Sequence, residues 1–101
     1  MSPVHTTTAW RVPVDGMLPF RDWDGEYVVY NPLTGSTHVL DIVTGEVLKA
    51  IMAAPATSRD LCRHVAEFLE VPNDVRTAEN VDAVLAALDE LGLIEPVGLA
   101  P

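Results

Sequence analysis

The sequence is short of positive charge. Six Lys and Arg stand against fifteen Asp and Glu, for a formal net charge of −9. Duplex binding needs clustered cations to neutralise phosphates, and anionic bilayers attract basic segments. Neither a nucleic acid nor a membrane is therefore an expected partner. Cysteine is almost absent: the single Cys62 excludes an intrachain disulfide and any multi-cysteine zinc site. No apolar run approaches the ~18–20 residues that span a bilayer. Met1 to Ala9 has no basic stretch leading into an apolar one. It does not read as a signal peptide, and the cytoplasm is the expected compartment. Gly-rich phosphate loops, nucleophile elbows and metal motifs are missing too.

What is present fits one compact domain. The 101 residues are 49% apolar and 21% charged, enough to build a core without staples. Residues 1–16 read as a tail with one short extended piece at Ala9–Val12, anchored by Trp10. Residues 17–97 read as the folded domain, and 98–101 as a C-terminal tail.

Strand signals come first. Gly25–Asn31 (GEYVVYN) is rich in β-branched and aromatic residues, and Asp24-Gly25 before it is a two-residue hairpin turn. Leu18–Trp23 supplies the partner strand. Pro32–Gly35 forms a second turn, and Ser36–Asp41 a third strand. If both turns close symmetrically, Phe20, Val29 and His38 lie side by side on one face, with Tyr27 and Leu40 next to them. Arg21, Val28 and Val39 then share the other face with Trp23, Tyr30 and Thr37. A slip of one residue would exchange the faces.

Three helices follow. Asp41 caps the first, with Val43, Val47, Leu48, Ile51 and Met52 at helical spacing and Pro55 as its stop. Gly45 is expected to weaken it by about 1 kcal/mol relative to Ala. Thr57 or Ser58 caps the second, whose stripe is Leu61, Val65, Phe68 and Leu69. Thr77 opens the third, with Val81, Val84, Leu85, Leu88 and Leu91 apolar and Gly92 just past its end. Leu93–Val97 then runs extended. The expected fold is α+β and winged-helix-like: a three-stranded antiparallel β-meander followed by three α-helices. Architecture alone does not give function.

Catalytic groupings are thin. Cys62 and His64 are two apart on a helix and point apart, so they cannot share a metal, and Cys62 reads as an inert thiol. His64 and Glu67 read as a solvated pair. His38 reads as packed against its strand neighbours, and His5 sits in the tail. Asp22–Glu26 is too short for a calcium loop, which draws about six or seven oxygen ligands from a longer span. Asp82, Asp89 and Glu90 fall on a solvated helix face. Neither an enzyme nor a metal or cofactor site is expected.

Two binding modes remain. A DNA-reading helix is disfavoured by the charge, by acids on the third helix, and by the break at Val71–Arg76. That break exceeds the turn of about three to four residues in a DNA-binding helix-turn-helix. Peptide capture fits better. Ser36–Asp41 carries no lysine or proline to blunt it, so an open edge there would offer backbone groups to an extended peptide. The tail around Trp10, or self-association, could cover the same edge.

The stretch Leu18–Asp41, above all Tyr30–Leu40 (YNPLTGSTHVL), with the amphipathic helix after it, resembles the PqqD-like family. More narrowly it is similar to the PqqD-family peptide chaperones of the HPr-rel-A system. The resemblance spans about residues 10–97 and implies three strands followed by three helices. It implies a recognition element for ribosomally made, post-translationally modified peptides. Such an element binds the leader segment of a precursor and delivers it to a modifying enzyme, without cofactor or catalysis of its own. The leader adds antiparallel to the third strand, here Thr37, His38, Val39 and Leu40, against the third helix. Val81, Leu85 and Leu88 form the expected apolar wall, although all three are also ordinary core positions. The implied partners are a precursor peptide and an enzyme related to HPr kinase. Two alternatives stay open: a scaffold subunit of that enzyme that binds no peptide, and a homodimer paired through the strand edge. Lys49, Arg59 and Arg63 are the only cations on the first two helices, so an acidic leader would find little charge to match.

Overall fold

The computed structural model describes residues 8–13 and 18–97, apart from the side chain of Trp23. The tail residues 98–101, His5 and most of 1–16 lie outside the described residues. The chain runs β1 (Ala9–Arg11), β2 (Phe20–Trp23), β3 (Glu26–Asn31), β4 (Ser36–Leu40) and α1 (Ile42–Ala53). It continues through β5 (Ala56–Thr57), α2 (Ser58–Leu69), α3 (Val75–Glu90) and β6 (Glu95–Pro96). The architecture is α+β, with an antiparallel meander β2–β3–β4 leading three helices.

The meander has the register that its turns dictate. Asp24 and Gly25 have φ of 55° and 81°, so both central residues of the hairpin turn are left-handed, as a type I′ turn demands. Phe20 opposes Val29 and Val29 opposes His38, while Arg21, Val28 and Val39 line up on the other face. Tyr27, Val29 and Leu40 are buried, whereas Tyr30 and Val39 are exposed. The face that Trp23 presents lies outside the described residues.

A second sheet joins distant parts of the chain. In it β1 lies between β5 and β6, with Trp10 opposite both Ala56 and Pro96. Arg11 Nε donates to Glu95 Oε2 at 2.8 Å, and the Val97 amide donates to the Ala9 carbonyl at 2.8 Å.

The helices start and stop on side-chain chemistry. Asp41 caps α1 by accepting from the Thr44 amide. Thr57 and Asp60 form a reciprocal capping box on α2. The third helix begins earlier than Thr77: Asp74 is its cap and Val75 its first residue. Thr77 instead is buried, and its hydroxyl donates to the Pro72 carbonyl at 2.7 Å. At the far end Gly92, at φ 76°, closes a Schellman motif in which the Leu93 amide reaches the Leu88 carbonyl. That reversal seats Leu93 and Ile94 in the core.

The core draws on every layer, with Val29, Val47, Leu48, Leu61, Val65, Val81, Leu88 and Leu93 nearly inaccessible. Three expectations are corrected. Leu91 is 37% exposed because α3 ends there and the chain turns away before its side chain is covered. Phe68 and Leu69 are exposed because the core stops before the last turn of α2. Gly45 is a packing requirement: a Cβ there would collide with the ring of Tyr27, so only glycine lets α1 lie flat on the sheet.

Candidate functional site

The meander leaves its last strand half paired. Among the described residues β4 pairs with β3 alone, and its outer edge is open. Thr37 and Val39 are exposed on the outer face, Val39 at 62%, while His38 is half-buried and Leu40 buried on the inner one. An added strand would meet backbone groups at Thr37–Leu40 and alternating side chains on its two faces. His38 Nε2 is buried with no hydrogen-bond partner among the described residues.

Two features hold this edge in place. Asn31, at the end of β3, is almost fully buried; its Oδ1 accepts from the Leu33 amide at 2.9 Å. Its Nδ2 donates to the Gly92 carbonyl at 3.3 Å, tying the β3–β4 turn to the end of α3. At the strand's other end Leu40 leads into the Asp41 cap of α1. The sequence places Asn31 only at the end of a strand, before the Pro32–Gly35 turn; its link to Gly92 has no local signal.

On the third helix the three residues of the expected wall, Val81, Leu85 and Leu88, are all buried. Val81 and Leu88 are sealed in the core, so neither offers surface to an added strand. Leu85 is also buried but borders a hollow of about 290 Å³, shared with Trp10, Ser58, Asp82, Ala86 and Asp89. The strand itself packs chiefly on β3 and α1.

Beside the meander sits a polar cluster that sequence reasoning missed. The Tyr27 hydroxyl donates to Glu46 Oε2 at 2.8 Å, and Lys49 Nζ lies 3.1 Å from the same oxygen. Lys49 also stands 5.0 Å from the centre of the Tyr27 ring, whose other neighbour is Phe20 at 4.9 Å. Burial pushes the Glu46 carboxyl up, but the hydrogen bonds from Tyr27 and Lys49 outweigh it, and the group lies below its ordinary 4.5. The hydrogen bond to Glu46, and then burial, hold the Tyr27 phenol above 10.0. His64 Nε2 is 3.6 Å from Glu46 Oε1, an electrostatic contact beyond hydrogen-bond range, so its partner is Glu46 rather than Glu67. The only sequence signal for this group was the i,i+3 spacing of Glu46 and Lys49. The cluster ties α1 to the sheet.

Burial pushes the Cys62 thiol above 9.0, which leaves it a poor nucleophile. Among the described residues no three His, Cys, Asp or Glu side chains converge as metal ligands, and no helix is long and apolar enough to cross a membrane.

No protein-family model matches the chain, and no curated protein matches it either. A solved structure does: TbiB1 in complex with the TbiA(beta) leader peptide, at a TM-score of 0.69. That match covers 90% of this chain and 99% of the other at 18% sequence identity, so what the two share is the fold.

Proposed function

We propose that this chain is a non-catalytic peptide chaperone of the recognition-element kind. It takes the leader segment of a ribosomally made precursor as an added strand and presents it to a modifying enzyme. The observation that carries the reading is the open edge of β4 in a three-stranded antiparallel sheet. The fold shared with a protein solved in complex with a leader peptide supports it.

In this reading the pairing edge is Thr37–Leu40: Thr37 and Val39 turn their backbone groups outward to the leader, while those of His38 and Leu40 are bonded to β3. Val81, Leu85 and Leu88, the helical residues of the expected site, belong to the buried core that holds α3 to the other helices. A rigid edge lowers the ordering cost of binding, because only the peptide has to be fixed. His38 lies on the inner face of this edge strand, half-buried, and its Nε2 has no hydrogen-bond partner among the described residues.

The test is an amide shift titration of labelled protein with synthetic leader segments of precursor peptides encoded beside its gene. Shifts concentrated on Thr37–Leu40, with a micromolar or tighter Kd, are the expected result. Silence on β4 at saturating peptide overturns the reading.

A further inference from the structure

The small hollow beside α3 is walled by chemistry that selects a guest. Asp82, Leu85, Ala86 and Asp89 recur at i, i+3, i+4 and i+7, so they share one stripe of the helix. Trp10 of β1 and Ser58 at the start of α2 complete the hollow, whose volume is about 290 Å³. Leu85 is buried and Trp10 half-buried, which makes part of the lining apolar and aromatic. Asp82, Ala86 and Asp89 are exposed, so the hollow opens to solvent along them.

Its charge is of one sign. Both aspartates line it and no Lys or Arg does. Neither acid has an ion-pair partner among the described residues, and Asp82 accepts only from the Ser58 hydroxyl, at 3.4 Å. The two acids stand two helical turns apart, about 10 Å along the axis, with Ala86 between them. A planar guanidinium suits that spacing. It spreads five N–H donors in a fork, stacks on an indole ring and lays its methylene stem on apolar surface. A compact ammonium meets one acid at a time. The volume selects the source of the cation. Pockets for free small molecules run about 300–1,000 Å³ and enclose most of the ligand. This hollow is smaller and has exposed walls, so it fits one side chain carried in on a partner's surface.

We infer that the hollow between Trp10 and α3 is the socket for one arginine side chain of a protein partner. The guanidinium stacks on Trp10 with Asp82 and Asp89 on either side, and its stem rests on Leu85 and Ala86. No residue of β4 lines the hollow, so the socket does not depend on strand addition there.

The probe is the peptide acetyl-Gly-Arg-Gly-amide, titrated into the labelled protein beside its citrulline and lysine analogues and agmatine. The expected result is saturable shifts at the Trp10 indole N–H, Ser58 and Asp82–Asp89, with a millimolar Kd. The neutral citrulline peptide should shift nothing, and the lysine peptide should bind at least about threefold more weakly. Asp82→Asn/Asp89→Asn, two exposed changes that keep side-chain size, should weaken binding at least about fivefold. Glu79→Gln/Glu90→Gln, on the same helix but outside the hollow, should leave it unchanged. Silence at Trp10, equal weakening by the two variants, equal binding of the lysine peptide, or tighter binding of agmatine than of the arginine peptide overturns the inference. Leader segments added to the Asp82→Asn/Asp89→Asn protein should still shift Thr37–Leu40, so failure at the hollow and failure at β4 are told apart.

Discussion

The described residues form two small antiparallel sheets built in opposite ways. The meander joins strands adjacent in the chain, through turns whose residues demand their geometry. The other sheet gathers Ala9–Arg11, Ala56–Thr57 and Glu95–Pro96, none longer than three residues. In the first, an edge is left open where an outside strand fits. In the second, the central strand is filled on both sides and holds the two ends of the domain together. Local pairing is specified by turn chemistry, whereas distant pairing is the by-product of where the helices end.

Leu93→Ala should strike the distant sheet hardest. Leu93 is fully buried at the reversal that delivers β6, and truncation is expected to cost about 3–4 kcal/mol in a denaturant titration. Hydrogen exchange should show protection lost first at Trp10 and Glu95, while Val29 and His38 stay protected.

Gly45→Ala tests how the meander is seated on the helices. The added methyl collides with the Tyr27 ring, and the gain in helix propensity does not offset it. A net loss of about 2 kcal/mol is expected by the same titration.

The local sheet has its own weak point at Gly25. Alanine there must hold a positive φ, so Gly25→Ala should cost about 1–2 kcal/mol. Hydrogen exchange should show the Trp23–Glu26 backbone pairing weakened while β1 keeps its partners.

The smallest effect is electrostatic. The folded-state value of Glu46 lies below 4.5, so its contribution is complete above the unfolded value and is lost as pH falls through the folded one. Glu46→Gln should flatten that acid limb by less than about 1 kcal/mol and leave stability at pH 9 to 10 nearly parallel to the parent. An unchanged acid limb would mean that Tyr27 and Lys49 do not hold the carboxylate in solution.

These two sheets also mark what could be read from the chain. The meander register, the Asp41 and Thr57 caps and the buried Cys62 follow from residues within a few positions of one another. The pairing of Trp10 with Pro96 does not, because strands of two or three residues carry no periodicity. Gly45 was misjudged for a related reason: propensity describes a helix alone, and the ring that occupies its place comes from β3. For the candidate site, the edge position of β4 could be read from the meander, whereas the burial of the helical residues could not. A stripe at helical spacing does not say which of its members the core will seal, and it sealed Val81 and Leu88.

The central position of β1 also has a consequence in time. Synthesis runs from the N-terminus at ~5–20 residues per second, so Trp10 is made about 4–17 s before Glu95. During that interval the meander can close, but β1 has at most one of its two neighbours. A newborn chain therefore carries β1 with one side unpaired until β6 emerges.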